Sequence, residues 1–160
     1  MRTFFFAASL LLAATAAAAF ADSVAFVGPA GWSHSPPPAA TDPQRSVDQW
    51  HLSGDISTLT FIRDTATTYA DALAAVEKNV TTNRIKTTAD RDMPCRGTTG
   101  HVVEFSYGPD GNKIIMNRIM VPDGPGLDTV TYARSDGSIF DPDVKKAETT
   151  FCTGGPATSP

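Results

Sequence analysis

The chain has 160 residues and a formal net charge of −4. This length suits one domain, which would bury roughly two-thirds of the surface of its unfolded chain. The acidic balance argues against nucleic acid and anionic membranes as partners, because both are recognised by a basic surface.

The N-terminal segment has the layout of a secretory signal peptide. Arg2 precedes 17 residues, 4–20, that carry no charged side chain. Ala19 and Ala21 are small residues at the positions that signal peptidase requires, so we expect cleavage after Ala21. A membrane anchor is the alternative, since a span needs about 17–25 apolar residues, but alanine dominates the segment and no basic cluster follows it. We therefore predict an exported protein, periplasmic or extracellular, without a stable membrane anchor after cleavage.

The cleavage site and the composition predict three regions. Residues 1–21 form the signal peptide, residues 22–152 form a single α+β domain, and residues 153–160 form a disordered tail. The mature chain has a formal charge of −5, because Arg2 is lost with the signal peptide.

Two cysteines, Cys95 and Cys152, remain in the mature chain. An even number of cysteines in an oxidising compartment is usually paired, so we predict a disulfide between them. The loop that it closes has about 58 residues, for which the chain-entropy model gives up to about 4 kcal/mol. A redox-active pair is the alternative, but that function favours a C-x-x-C spacing.

The first elements alternate between strand and turn patterns. Ser23 to Val27 predicts a short strand that ends at Gly28-Pro29, and the four prolines within residues 35–43 predict a surface loop. Strand patterns resume at Val47 to Leu52 and at Thr58 to Ile62, and the intervening Gly54-Asp55 favours a hairpin turn.

The periodicity then changes to that of a helix. Apolar residues recur at helical spacing from Tyr69 to Val80, and Thr67 or Thr68 can cap the helix. A strand is expected around Ile85 to Ala89, and Pro94 should interrupt the chain before Cys95.

A central hairpin is expected between His101 and Val121. Phe105 lies in an alternating run that reaches a turn at Gly108 to Gly111, which predicts that Tyr107 pairs with Asn112 and Phe105 with Ile114. Val103, Phe105, Tyr107, Ile114 and Met116 would then share a buried face beneath a helix. Glu104 would lie on the opposite, solvated face. Three apolar residues of the return strand share that second face, which predicts either a β-bulge near Arg118 or a second layer covering it: Ile115, Ile119 and Val121.

The last two elements are a strand and a helix. Leu127 to Arg134 has a strand pattern, and Asp141-Pro142 is a typical helix start. The helix should end at Cys152 and be terminated by Gly154-Gly155. Short connections between neighbouring strands favour a largely antiparallel sheet, against which the two main helices pack.

This order of elements resembles the α/β/α sandwich group that includes PsbP and DcrB. The resemblance covers most of residues 24 to 152 and depends on Gly31-Trp32 after the first strand and Val130-Thr131-Tyr132 before the final helix. It implies a non-catalytic domain that acts as an extrinsic subunit or a binding module. The cysteine pair and the proline-rich loop are not general features of that group, and a fold alone does not fix a partner.

No catalytic, cofactor-binding or metal-binding residue set emerges from the sequence. The chain has no G-x-S-x-G motif and no Gly-rich phosphate loop. Its three histidines lack the spacing of metal ligands, so we treat them as scattered surface residues: His34, His51 and His101.

Three groups of carboxylates and two tryptophans are further candidate site residues. Asp90 and Asp92 would share a strand face, but the nearby Arg91 and Arg96 favour a solvated charge cluster. The other carboxylates are expected to cap the last helix or to face water: Asp141, Asp143 and Glu104. Both tryptophans are expected in the core, with a cleft beneath the proline-rich loop as the alternative for the second: Trp32 and Trp50.

The leading hypothesis is an exported, non-enzymatic binding or accessory domain whose ligand is an unknown protein or small molecule. The alternative is a small hydrolase or metal-dependent enzyme, with a site assembled only in three dimensions. A pocket that gathers His51 or His101 with Glu104 or Asp90 would favour the enzyme.

Overall fold

A computed structural model describes residues 26–35, 42–83, 85–109 and 112–154. The predicted signal peptide, nearly all of the predicted tail and most of the proline-rich loop lie outside these residues. Within them, no helix is long and apolar enough to cross a membrane.

Seven strands form one antiparallel sheet, and two helices pack against it, which confirms the predicted α+β class. The strands are β1 (Ser33–Ser35), β2 (Arg45–His51), β3 (Thr58–Asp64), β4 (Lys86–Cys95), β5 (Thr98–Tyr107), β6 (Ile114–Asp123) and β7 (Gly126–Ser135). The helices are α1 (Tyr69–Asn83) and α2 (Pro142–Thr153). The order across the sheet is β1-β2-β3-β7-β6-β5-β4, so β7, which follows β6 directly in the chain, lies between β3 and β6.

The helices lie on opposite faces of the sheet, because the central strands are apolar on both faces. One core contains Val103, Phe105 and Met120 of the sheet, and Leu73 and Val76 of α1 pack against it. The strand residues that alternate with these face the other way and form a second core with Val144 and Phe151 of α2: Leu59, Phe61, Val102, Ile119, Val130 and Tyr132. The sheet is therefore the middle layer of an α/β/α sandwich.

Local signals set the starts of both helices as predicted, whereas α1 continues to Asn83, beyond the predicted Val80, and α2 ends at Thr153, one residue after Cys152. At α1, the Thr68 hydroxyl accepts a hydrogen bond from the Asp71 amide at 3.2 Å. At α2, the Asp141 carboxylate accepts hydrogen bonds from the amides of Asp143 and Val144 at 2.8 and 3.3 Å. Gly154 ends α2 with a φ of 67°, a left-handed conformation that glycine adopts without strain.

The predicted disulfide between Cys95 and Cys152 is confirmed, with 4.2 Å between the two Cα atoms. It joins the end of β4 to the end of α2. The next residue, Arg96, has a φ of 55°, and its amide donates a hydrogen bond to the Cys152 carbonyl oxygen. The β4–β5 turn is therefore attached to α2 by one covalent bond and one hydrogen bond.

The register predicted for the central hairpin is wrong by two residues. Tyr107 pairs with Ile114 and Phe105 with Met116. The turn is longer than expected, and the Asn112 amide donates a hydrogen bond to the Pro109 carbonyl oxygen. Because the shift is even, every side chain keeps its predicted face. No bulge was needed near Arg118, since α2 supplies the second layer over Ile119 and Val121.

Two strand predictions also need correction. Phe26 and Val27 are not in a strand; Phe26 instead contacts the rings of Trp50, Phe61 and Phe151. Pro94 does not interrupt β4, which continues to Cys95. A proline is tolerated there because β4 is the edge strand of the sheet and one side of its backbone needs no partner.

Candidate functional site

The three histidines do not converge. The His34 Nε2 atom lies 3.1 Å from an Asp48 carboxylate oxygen, and the His51 Nδ1 atom lies 3.1 Å from the Ser35 hydroxyl. Both histidines are on the β1–β2 edge, whereas His101 is on β5 near the opposite edge. Among the described residues, no group of three potential metal-ligating side chains is close enough to hold an ion.

His101 does meet Asp90, one of the pairs that would favour an enzyme. Its Nε2 atom lies 3.0 Å from Asp90 and its Nδ1 atom lies 3.0 Å from Asp92. Nearby, burial, and to a lesser extent the charge of Asp92, raise the pKa of the Tyr69 hydroxyl above its usual value. Since both ring nitrogens of His101 already face a carboxylate, neither is available to a substrate.

The two aspartates are exposed, as the sequence predicted, but their partner is His101. The predicted cluster with Arg91 and Arg96 is wrong, because Arg91 lines the other face of the sheet and Arg96 pairs with Asp123 and Asp128.

Glu104 lies away from His101, on the face that α2 covers. Its carboxylate accepts a hydrogen bond from the Thr88 hydroxyl at 2.5 Å and lies 3.7 Å from Arg134. Its side chain is 26% exposed. The predicted solvated face is therefore wrong in part, because the helix covers the neighbouring strand residues and an arginine pairs with the acid.

Both tryptophans are buried, as the core interpretation predicted. The Trp32 ring meets Tyr132 edge to face, and the Trp50 ring stacks on His34. A Cβ atom added to Gly28 would lie only 2.1 Å from the Trp50 ring, so the backbone of residue 28 packs directly on the indole. The proline-rich loop that would cover a cleft at Trp50 lies mostly outside the described residues.

A buried ionic network, not foreseen from the sequence, joins the sheet to α2. Asp128 is fully buried and accepts two hydrogen bonds at 2.9 Å from the Arg63 guanidinium. Arg96 donates a further hydrogen bond to Asp128 at 2.6 Å and one to Asp123 at 3.2 Å. The Arg96 guanidinium also lies over the Phe151 ring of α2. These contacts are all internal to the protein, so we assign the network a structural role.

The best candidate for a ligand site is a cleft of about 440 Å³ between α1 and the sheet, which we call the α1 cleft. Residues from α1 and three strands form its apolar walls: Ile62, Ala72, Ala75, Val76, Met120 and Leu127. The other six lining residues are polar, and they include one carboxylate, Asp64, which lies opposite Arg45 on the neighbouring strand: Arg45, Asp64, Asn79, Arg118, Thr129 and Thr131. Apolar walls combined with a few polar groups are typical of small-molecule sites.

Arg118 lies on the sheet beneath α1 and is the most unusual residue of the α1 cleft. Its Nε atom donates a hydrogen bond to the Thr131 hydroxyl at 3.3 Å, and its guanidinium lies 5.9 Å from the centre of the Phe105 ring. Burial lowers the pKa of Arg118 below the usual arginine value, but arginine stays charged in proteins.

No ion pair with Arg118 is present among the described residues. The arginines of the buried network share Asp128, and Arg134 pairs with Glu104. A half-buried cation without a carboxylate is costly to fold, which makes Arg118 a candidate ligand-binding group.

The sequence pattern drew attention to Arg118 only through the β-bulge predicted near it. The signal that could have identified it is an arginine on a strand where Met116 and Met120, the residues two positions away on either side, are apolar and face α1.

The comparisons with known proteins supply a fold neighbour and no function. No protein-family model matches the chain, and no curated protein matches it. A solved structure of a Pseudomonas aeruginosa protein of unknown function, described as a candidate regulator, is similar at 14% identity and a TM-score of 0.49. The match covers 81% of this chain and 96% of that one.

Proposed function

We propose that this chain is an exported, non-enzymatic binding domain, and that its α1 cleft takes a small apolar molecule that carries a carboxylate. The observation that carries the proposal is Arg118, a half-buried cation of the α1 cleft without an ion-pair partner among the described residues. A ligand carboxylate would supply the partner, and the apolar walls would cover the rest of the ligand. The sandwich resemblance to binding modules such as PsbP and DcrB points the same way.

Export is supported by the N-terminal sequence and by the disulfide. A cysteine pair that is bonded is typical of proteins that leave the reducing cytosol. The same compartment would expose the domain to small molecules outside the cell.

Intact-mass spectrometry of protein purified from its own host should therefore find a chain that begins at Asp22. Alkylation before reduction should add no label, and alkylation after reduction should label both Cys95 and Cys152. A chain that retains residues 1–21, or one that is labelled without reduction, would contradict the proposed export.

Replacing Arg118 by methionine should weaken the binding of decanoate, measured by isothermal titration calorimetry, by at least about tenfold. A hydrogen bond to a charged group contributes roughly 1.5–3 kcal/mol, and about 1.4 kcal/mol corresponds to a factor of ten in affinity. Decanol should bind the native protein as weakly as decanoate binds the Arg118→Met variant, because it lacks the carboxylate.

Lys78→Met is the matched control for this experiment. Lys78 is an exposed lysine of α1 that does not line the α1 cleft, so the substitution makes the same change of charge outside it. It should leave decanoate binding unchanged. Equal binding of decanoate to the native protein and to Arg118→Met would overturn the proposal.

A further inference from the structure

A second cleft, of about 430 Å³, lies on the other face of the sheet, between α2 and strands β4 to β6. We call it the α2 cleft. Its walls include the apolar residues Met93, Val102 and Ile119, and two cationic residues with exposed side chains line it as well: Arg91 and Lys145. It shares no lining residue with the α1 cleft.

Glu148 of α2 is a buried carboxyl group that lines this cleft. The residue is only 8% exposed. Its Oε1 atom accepts a hydrogen bond from the Asn117 side-chain amide at 2.9 Å. Among the described residues no hydrogen bond to the second oxygen, Oε2, is present, and that oxygen is not fully enclosed.

The charged groups around Glu148 do not neutralise it. Arg91 of β4 and Lys145 of α2 line the cleft, but within the described residues neither forms an ion pair with Glu148. On the same face, Glu104 of β5 and Arg134 of β7 pair with each other. Burial raises the pKa of Glu148 to about 7, and the Asn117 hydrogen bond lowers it by less. The protein alone therefore does not hold the Glu148 carboxyl in its ionised form at neutral pH. A ligand with a positive charge would stabilise that ionised form, so the site suits a cationic group.

We propose that the α2 cleft binds a free apolar α-amino acid. The ligand ammonium group donates to Oε2 of Glu148, the ligand carboxylate lies with Arg91 and Lys145, and the ligand side chain packs on the apolar wall. This arrangement requires both ligand charges, because the cleft combines a buried acid with two exposed cations. A residue inside a peptide chain has neither charge, and a terminal residue has only one of them.

The test measures L-phenylalanine binding by calorimetry together with two analogues that each lack one charge. L-phenylalaninamide has no carboxylate, and N-acetyl-L-phenylalanine has no ammonium group. Each analogue should bind the native protein at least about tenfold more weakly than L-phenylalanine, because each loses a charge-assisted contact.

Glu148→Gln should weaken L-phenylalanine binding at least about tenfold and leave the weak binding of N-acetyl-L-phenylalanine unchanged. Glutamine keeps an oxygen that can accept the Asn117 hydrogen bond and resembles the protonated acid, so the variant should fold. Glu77→Gln, which alters an exposed acid of α1, is the matched control and should bind as the native protein does.

The pH dependence gives an independent measurement. Below pH 7 the Glu148 carboxyl takes up a proton, so native affinity for L-phenylalanine should rise from pH 5 to pH 7 and level off above it. The profile of Glu148→Gln should be flat over the same range.

Three results would overturn the proposal. They are a failure of L-phenylalanine to bind at millimolar concentration, binding of N-acetyl-L-phenylalanine with the same affinity as L-phenylalanine, and binding of L-phenylalanine by Glu148→Gln with the native affinity. The same titrations in Arg118→Met, which lacks the proposed carboxylate partner of the α1 cleft, separate this result from the function of that cleft, because every expected difference should persist in that variant.

Discussion

Replacing Asp128 by alanine is expected to lower the free energy of unfolding by about 3–5 kcal/mol, since removing one partner of a buried ion pair leaves the other charge poorly compensated. Asp128 is fully buried and is shared by Arg63 and Arg96, whose side chains are 20% and 13% exposed. The substitution therefore removes a buried anion from two mostly buried cations. Urea denaturation followed by tryptophan fluorescence measures the loss, because both tryptophans are in the core.

Asp123→Ala is the control for Asp128→Ala, because Asp123 contacts the same two arginines from a more exposed position. Its side chain is 36% exposed, and its contacts are longer, at 3.6 and 3.2 Å. An exposed ion pair contributes roughly 0.2–1 kcal/mol, so the control should lose no more than about 1 kcal/mol. If both variants lost the same stability, the network would not depend on the burial of Asp128.

Phe105→Ala is expected to cost about 3–5 kcal/mol of unfolding free energy, because it leaves a cavity between the sheet and α1. Phe105 is 6% exposed and belongs to the core against which Leu73 and Val76 of α1 pack. Its ring also lies under the Arg118 guanidinium. The same denaturation experiment should show one of the largest losses among single substitutions in the sheet.

The neighbouring substitution, Glu104→Ala, should cost about 1 kcal/mol or less. Glu104 points to the other face, is partly solvated, and loses one hydrogen bond and one long ion pair. The strand position and backbone are nearly the same, so the difference between the two variants measures the burial of Phe105. A loss for Glu104→Ala as large as that for Phe105→Ala would show that the α2 side of the strand is more tightly packed than its exposure indicates.

Local patterns predicted most of the elements, because each pattern depends on residues close together in the chain. The helical spacing from Tyr69 to Val80 corresponds to α1, and Asp141-Pro142 marks the start of α2. The alternation of apolar residues predicted that Phe105 and Glu104 lie on opposite faces. These faces are correct although the predicted register was wrong by two residues, because a shift by an even number of residues does not change the face of a side chain.

The incorrect predictions depend on contacts between distant segments. The three polar residues of β1 have no apolar alternation, and only their pairing with β2 makes them a strand. The continuation of β4 through Pro94 depends on the position of β4 at the sheet edge, which no local pattern reveals. The partial burial of Glu104 likewise depends on distant residues, because Thr88 of β4 and Arg134 of β7 contact its carboxylate.

The candidate sites were the least predictable part of the molecule. Arg118 and Glu148 are ordinary residues in their local sequence, and they become unusual only because a helix or the sheet buries them without an ion-pair partner among the described residues. The residues that the sequence offered as candidates have ordinary structural roles instead: His101 pairs with two exposed aspartates, and Asp141 caps α2. Whether a charged side chain is buried without an ion-pair partner depends on the fold, so a sequence pattern could not identify either site.

Nitrogen-15 NMR of the Arg118 side chain during a decanoate titration is the most direct measurement of the proposed carboxylate site. The Arg118 Nε–Hε signal is identified by its loss in Arg118→Met. It should shift in a saturable manner together with the amides of Val76 and Leu127, which line the α1 cleft, while the Nε–Hε signal of Arg134, which contacts Glu104 on the other face of the sheet, stays in place. An Arg118 signal that does not move at saturating decanoate would contradict the proposal that the α1 cleft binds a carboxylate.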